Sequence, residues 1–372
     1  MACMGLLICT LLGEKMALFK KGNLVGLDIG TSSVKMAHMK ESSRGIELLN
    51  FDMVTLPPET VVDGRIMNFA VVVERVREMV RTNGLKGREA TLGVSGNFVI
   101  IKKLLMTEMT SYELEESLQW EAEQYIPFDI KEVNVDAQII NPRAGHGQMD
   151  VLLVAAKKEY VDEHVSVAME GGLKPMTVDT ATFAIYNMFE ANYQLPAGES
   201  IALINIGASL TNVIVVSNGN LAFTRDLGMG GNRFTLEVQK QLNVTFEEAE
   251  QFKTGVEGSL SSSTIAKEVV HISERVADDM VTEIKRSLDF FVATNMKTDI
   301  SRLYLSGGSA QIPALVRQLE NRLGVPVELI NPFKNIVVDS KKFDIDLLQR
   351  FAPAAGVAIG LGLRKSGDRA TA

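Results

Sequence analysis

The sequence predicts an α/β protein built from two related halves, and three observations lead there. The first is a short phrase written twice: Val25-Gly26-Leu27-Asp28-Ile29-Gly30-Thr31-Ser32-Ser33 recurs as Leu203-Ile204-Asn205-Ile206-Gly207-Ala208-Ser209-Leu210-Thr211. Each copy runs from an apolar strand through an acidic or amide residue, a glycine and small hydroxylic residues into a second apolar strand. That pattern predicts a β-hairpin whose turn exposes N–H groups and hydroxyls, a shape that cradles phosphate. The second observation is that strand-like and helix-like periodicities alternate along the chain. The third is size, since 372 residues suffice for two domains with cores of their own.

Composition narrows the function. The chain is 46% hydrophobic and 23% charged, the balance of an ordinary globular protein. A net charge of −8 without a Lys/Arg run argues against a nucleic-acid partner. The only cysteines are Cys3 and Cys9, so the body of the chain has no disulfide framework or cysteine metal site, as suits a reducing cytosol. Ala2–Leu12 is apolar but falls short of the roughly 20 residues of a membrane span. It lacks the basic start and cleavage site of a signal peptide, and Ile8 before Cys9 argues against a lipoprotein. Met16 reads as a natural second start, so residues 1–21 are expected to be an extension, disordered or a mis-called start.

The first hairpin is expected over Leu24–Ile29 and Val34–Met39, with a third strand at Ile46–Val54. Phe69, Val72, Val73, Val76, Met79 and Val80 recur at helical spacing and Asn83-Gly84 ends that helix. Ala90–Val94 is a strand. Thr110-Ser111-Tyr112-Glu113 is a capping box opening a helix whose apolar stripe is Leu114, Leu118, Ala122 and Tyr125. Strands near Val133–Ile140 and Val151–Ala156 and a helix at Tyr160–Met169 complete a block, 97–172, read as an insertion. Met176–Asp179 returns to the first sheet, followed by a helix at Thr182–Glu190.

The second half opens at Ile201 with the repeated hairpin and a strand at Leu221–Thr224. Gly228–Asn232 precedes a helix, Phe246 starts another, and Val269 to Phe291 marks a long amphipathic one. Leu303–Leu305 leads through Ser306-Gly307-Gly308-Ser309 into a helix with Pro313 early and Gly324 at its end. Phe351–Leu363 is apolar, small and broken by glycines, and reads as a buried helix packed closely on its neighbours. The tail, Arg364–Ala372, is no amphipathic membrane anchor.

These pieces suggest a clamped nucleotide. Phosphate contacts fall to Gly30, Thr31, Ser32, Ser33 and Lys35 in the first copy and Gly207, Ala208 and Ser209 in the second. Asp28 could hold Mg²⁺ through its waters, and Lys35 could reach a β-phosphate as a point charge. Gly230, Gly231, Asn232, Glu250, Lys253, Gly307, Gly308 and Ser309 are the candidates for adenosine. Taken singly, each motif is an ordinary turn or a solvated helix pair; their joint order points to a nucleotide fold.

That order resembles the actin-like (ribonuclease H-like) ATPase superfamily. The corresponding motifs are phosphate 1 at Asp28–Lys35, connect 1 at Val178-Asp179-Thr180, phosphate 2 at Asn205–Thr211, the adenosine motif at Leu305–Ala310 and connect 2 at Ala354–Gly360. Phe19-Lys20-Lys21 and the Trp120–Phe128 phrase make the chain most similar to the type IV pilus assembly PilM family, relatives of the division protein FtsA. The resemblance implies two domains with ATP or ADP and Mg²⁺ between them. Their expected parts are subdomain 1A at 22–96 and 173–200, an FtsA-type inserted subdomain 1C at 97–172, 2A at 201–235 and 300–349, 2B at 236–299, and a C-terminal helix over 350–372 returning to 1A.

It also implies a cytoplasmic protein, peripheral at a bacterial inner membrane, that grips the cytoplasmic N-terminus of PilN. Further implications are self-association and roles in pilus biogenesis and twitching motility. Membrane contact would come only through partners. The partner groove is placed at Glu116, Trp120, Glu123, Tyr125 and Phe128, where an acidic helix suits a basic-apolar peptide, although base rates put a lone Trp in the core.

One departure bears on catalysis. The superfamily commonly carries Asp at the start of phosphate 2, where this chain has Asn205, which supplies no charge and is a poor proton acceptor. Asp179 remains as a group that could orient a water, or else caps the following helix. The expectation is ATP binding with slow or negligible hydrolysis, and domain closure acting as a switch. An FtsA-like filament-forming protein and a sugar or acetate kinase are the competing readings.

Overall fold

The computed structural model describes residues 9–10, 22–194, 198–255, 263–295 and 298–365. They divide into two units, one of residues 1–193, 332–344 and 355–372, the other of 194–331 and 345–354. The extension expected over 1–21 lies outside the described residues except for Cys9–Thr10. The Ser/Gly loop at 256–262 and the tail beyond Lys365 lie outside them as well.

In the first unit, strand β1 (Cys9–Thr10) is followed by β2 (Val25–Ile29), β3 (Ser33–Ser42) and β4 (Gly45–Thr55), an antiparallel meander. Two-residue strands β5 (Val61–Val62) and β6 (Arg65–Ile66) lead to helix α1 (Phe69–Thr82). The Asn68 side chain caps α1 by accepting from the Val71 N–H, and its buried stripe is Val72, Val73, Val76, Met79 and Val80, as the spacing predicts. Strand β7 (Glu89–Val94) then pairs parallel with β2.

The block expected as an insertion contains β8 (Val99–Thr107), α2 (Ser111–Glu123), β9 (Val133–Gly145) and β10 (Gln148–Lys157), with the strands in a separate sheet ordered β8-β10-β9. Both halves of the Thr110/Glu113 capping box are formed. The predicted stripe of α2 packs on this sheet, with Leu118 and Ala122 in one apolar cluster and Leu114 in a second. Helix α3 (Lys158–Glu170), expected as part of the inserted block, packs on α1 and on β11 (Lys174–Thr180). Gly171 marks the contact, since a Cβ there would lie 2.4 Å from Val76 Cγ1.

The six-stranded sheet is ordered β1-β11-β7-β2-β3-β4. Helix α4 (Ala181–Asn192) and the closing helix Gly356–Gly362 are buried on nearly every face, so both are apolar all round rather than striped. They pack against each other so closely that a Cβ on Gly360 would lie 1.8 Å from the Ala184 carbonyl oxygen.

The second unit repeats the scheme. Strands β12 (Ser200–Ile206), β13 (Thr211–Ser217), β14 (Asn220–Leu227), β15 (Ile300–Ser306) and β16 (Val327–Leu329) form a sheet ordered β14-β13-β12-β15-β16. Here too an antiparallel meander is followed by parallel strands, matching β4-β3-β2-β7-β11. Helices α5 (Asn232–Leu242), α6 (Phe246–Thr254), α7 (Ser263–Thr294) and α8 (Pro313–Leu323) share one core with the sheet, including Ile204, Phe234, Ile272, Met280 and Leu315. The region expected as subdomain 2B is thus purely helical among the described residues and continuous with the sheet's core.

Candidate functional site

Both copies of the repeated phrase form hairpins with the same turn. The Gly30 N–H donates to the Ser33 carbonyl at 3.0 Å, and the Gly207 N–H to the Leu210 carbonyl at 2.8 Å. The residues that distinguish the copies occupy the same register position. Asp28 faces Lys35 across β2 and β3, and Asn205 faces Asn212 across β12 and β13.

In the first unit, Lys35 Nζ lies 3.3 Å from Asp28 Oδ2. It also sits 3.1 Å from where a side chain on Gly30 would begin, so the ammonium lies over the turn. Ser33 is buried and Ser32 exposed. A residue that sequence reasoning missed, His164 on α3, is fully buried nearby. Burial pushes its pKa down to about 4, against the hydrogen bond to Tyr160 and the charge of Asp28. Its Nδ1 is 2.9 Å from the Tyr160 carbonyl, so Nδ1 carries the proton. A helical apolar stripe gives no signal that its histidine feels the charge of Asp28.

Asp179, the group expected to orient a water or to cap a helix, has both carboxylate oxygens engaged inside the fold. The side chain is entirely buried, Oδ1 accepts from the Thr180 N–H at 2.7 Å, and Oδ2 accepts from Arg364 Nε at 2.7 Å. Burial pushes its carboxyl up, while Arg364 and the Thr180 N–H pull it down. Thr180, not Asp179, caps α4, its hydroxyl accepting from the Phe183 N–H. Asp179 therefore holds the fold, tying the end of β11 to the chain just past the closing helix.

In the second unit three loops converge. The Gly207 carbonyl accepts from the Gly231 N–H and from Ser309 Oγ, both at 2.9 Å, and the Ala208 carbonyl accepts from the Asn232 N–H at 2.7 Å. Gly231 and Asn232 thus spend their N–H groups inside the protein, which also satisfies carbonyls that would repel a phosphate. Gly307 takes φ +92°, and a Cβ there would lie 2.2 Å from the Ile206 carbonyl oxygen. Its N–H donates to the Pro353 carbonyl at 2.6 Å, and Gly308 opens a short 3-10 turn before α8.

Behind these loops, Glu250 and Lys253 of α6 meet Thr235 of α5. Lys253 Nζ and Thr235 Oγ1 both donate to Glu250 Oε2 at 2.6 Å. Lys253 is nearly buried while Glu250 keeps 41% of its side chain exposed, so the carboxylate is the reachable member. The sequence-predicted adenosine residues are thus brought together in one unit.

The partner residues are not all on one surface. Tyr125 and Phe128 pack against the insertion's core, and Lys157 Nζ lies 4.6 Å over the Phe128 ring. Trp120 is 75% exposed, against the base-rate expectation of a core Trp. With Tyr112, Glu116 and Glu123 it forms an exposed stripe along α2, and Tyr112 Oη donates to Glu116 Oε1 at 2.7 Å. Among the described residues no group of His, Cys, Asp or Glu could alone hold a metal, and no helix is long and apolar enough to cross a membrane.

Comparisons with known proteins agree with this geometry. The PilM-PilN type IV pilus biogenesis complex contains a chain with a TM-score of 0.80 and 27% identity, covering 92% of this chain and 98% of that one. The ethanolamine utilization protein EutJ from Carboxydothermus hydrogenoformans shares the fold at a TM-score of 0.55 and 15% identity, over 94% of this chain and 91% of that one. The cell division protein FtsA of Bacillus subtilis is 22% identical over 357 residues, 83% of this chain and 78% of that protein. The fold is therefore the actin-like one, and the PilM reading prevails over the FtsA alternative. The family model described as type IV pilus assembly protein PilM matches residues 26–366, and the chain belongs to that family.

Proposed function

We propose that the protein is a nucleotide-binding adaptor of type IV pilus assembly that takes ATP or ADP with Mg²⁺ and grips the N-terminal peptide of a PilN partner. The observation that carries the nucleotide half is the pair of matched hairpin turns, one bearing a lysine over its glycine. In the first unit Lys35 supplies a point charge for phosphate oxygens, and within each unit the turn's remaining N–H groups and its hydroxyls are donors of the kind phosphate accepts. Glu250 accepts from ribose hydroxyls, with Lys253 holding it in place. Bound Mg²⁺ would neutralise phosphate charge; it keeps most of its waters and needs one or two carboxylates, which suits Asp28 without a dedicated protein cage.

Hydrolysis is slow in this reading because neither candidate base is available: Asn205 carries no charge, and both oxygens of Asp179 are occupied. Calorimetric titration should show binding of Mg·ATP, weakened about tenfold or more by Lys35→Ala. Phosphate release should stay near background in the native protein and rise in Asn205→Asp. Fast turnover by the native protein would sink the adaptor reading.

The partner half rests on the exposed aromatic and acidic stripe of α2, which complements a basic-apolar peptide. The likeness to a chain of a PilM-PilN type IV pilus biogenesis complex supports PilN as that partner. Membrane association then comes through the partner. Because Trp120 is so exposed, Trp120→Ala should leave the melting temperature unchanged and weaken peptide binding by about 2 kcal/mol. Capture of division proteins instead of PilN from a membrane fraction would refute the assignment.

A further inference from the structure

In the second unit one row of side chains crosses three neighbouring strands. Asn205 on β12 lies directly opposite Asn212 on β13, and Asn212 directly opposite Asp226 on β14. Asn205 Nδ2 donates to Asn212 Oδ1 at 2.8 Å, and Asn212 Nδ2 donates to Asp226 Oδ1 at 2.7 Å. Asn212 is 1% exposed and Asn205 9%, while Asp226 reaches the surface.

A side-chain amide has a donor end and an acceptor end, so two facing amides can pair in either direction. The row removes that freedom. The Asp226 carboxylate only accepts, so Asn212 must turn its NH₂ toward it. That leaves the Asn212 oxygen for Asn205, which must answer with its own NH₂. What remains of Asn205 is the second N–H of that NH₂ and the carbonyl oxygen Oδ1, whose place the row fixes. Reversing the row would set the oxygen of Asn212, itself 1% exposed, against a carboxylate oxygen with no hydrogen between them.

We propose that Asp226 is a positioning residue. Acting through Asn212, it fixes Asn205 so that Asn205 presents an oxygen acceptor, not an amide donor, to a metal-bound water or hydroxyl of the bound nucleotide. The first unit presents an oxygen at the same register position through Asp28, but there the negative charge sits on the first strand of the hairpin. In the second unit the charge is moved two strands away and only its direction is relayed. Asn205 thereby favours the metal-loaded nucleotide without adding a carboxylate beside phosphate.

This rests on the nucleotide reading above, so the experiment has one arm that needs no nucleotide. In Asp226→Asn the terminal group can itself donate, and the row loses its fixed direction; Asp226→Glu keeps an acceptor. Binding of ADP is measured with and without Mg²⁺ for the native protein and both variants. The gain in affinity that Mg²⁺ brings should fall about tenfold in Asp226→Asn and return to within about twofold in Asp226→Glu, with metal-free binding unchanged. In parallel, the Asn205 side-chain NH₂ signals are followed by NMR on nucleotide-free protein, assigned by their loss in Asn205→Asp. They should shift and exchange faster in Asp226→Asn only. If those signals do not move, the relay is overturned, whatever the nucleotide data show. If they move but the native protein binds no nucleotide, the relay stands and the nucleotide reading fails. If they move, nucleotide binds and the Mg²⁺ gain is unchanged, Asp226 orients Asn205 without serving the ligand, and the proposal is overturned.

Discussion

Gly360→Ala should destabilise the first unit by about 3 kcal/mol or more, enough to lower its urea midpoint sharply or prevent folding. The added methyl would lie 1.8 Å from the Ala184 carbonyl oxygen, with that residue's C and Cα also within contact distance. Those are backbone atoms of α4, a helix buried on nearly every face, so none can swing aside. The closing helix cannot back away, because it packs at once on β2, β3 and β7. Gly93→Ala is the control: its methyl would meet the Leu361 Cδ1 end of a flexible side chain at 2.9 Å, which can adjust. Equal midpoints for the two variants would show that the helix–helix contact is looser than described.

Arg364→Met is expected to cost about 3–5 kcal/mol, because it leaves Asp179 charged, buried and without its cation. Arg364 is 1% exposed and Asp179 0%, so water reaches neither. The cost has a pH signature. Burial raises the Asp179 carboxyl in the folded state, with Arg364 opposing. Without Arg364 the folded pKa rises further above the unfolded one. A carboxyl raised by folding stabilises the fold while protonated and loses that contribution as pH rises through the folded pKa. The deficit should therefore be large at about pH 8 and shrink as the medium is acidified toward pH 5. Adding Asp179→Asn, which keeps the acceptor for the Thr180 N–H, should recover most of the loss at neutral pH. A pH-independent deficit, or no recovery in the double variant, would remove Asp179 as its cause.

The hairpins, their turns, the striped helices and both glycine loops were legible in the sequence, because each is set by local periodicity or by a turn residue. What was not legible depends on distant partners. Strand β8 escaped notice because Lys102-Lys103 interrupts its apolar run, and its pairing comes from β10. Asp179 reads as a water-orienting group or a helix cap because nothing in its surroundings announces an arginine 185 positions later. Phe128 sits close to Trp120 in sequence, yet the turn after α2 packs it half-buried against the apolar cluster that Tyr125 joins, and Trp120 stays outside. The Asn205–Asn212–Asp226 row could be seen only once strand register was known.

The passage of the chain between units has a consequence for how the protein is made. The first unit is assembled from three separate stretches and the second from two. As the ribosome delivers the chain in order, residues 194–354 are present before the closing helix of the first unit exists. Until Gly356–Gly362 emerges, the faces of β2, β7 and α4 that it covers have no lid. The nascent first unit must wait, with an apolar surface uncovered, while an entire second unit is translated. A newly made copy is therefore most exposed to chaperones and proteases just before synthesis reaches Gly356–Gly362, and a message broken at that point leaves a finished second unit joined to an unfinished first.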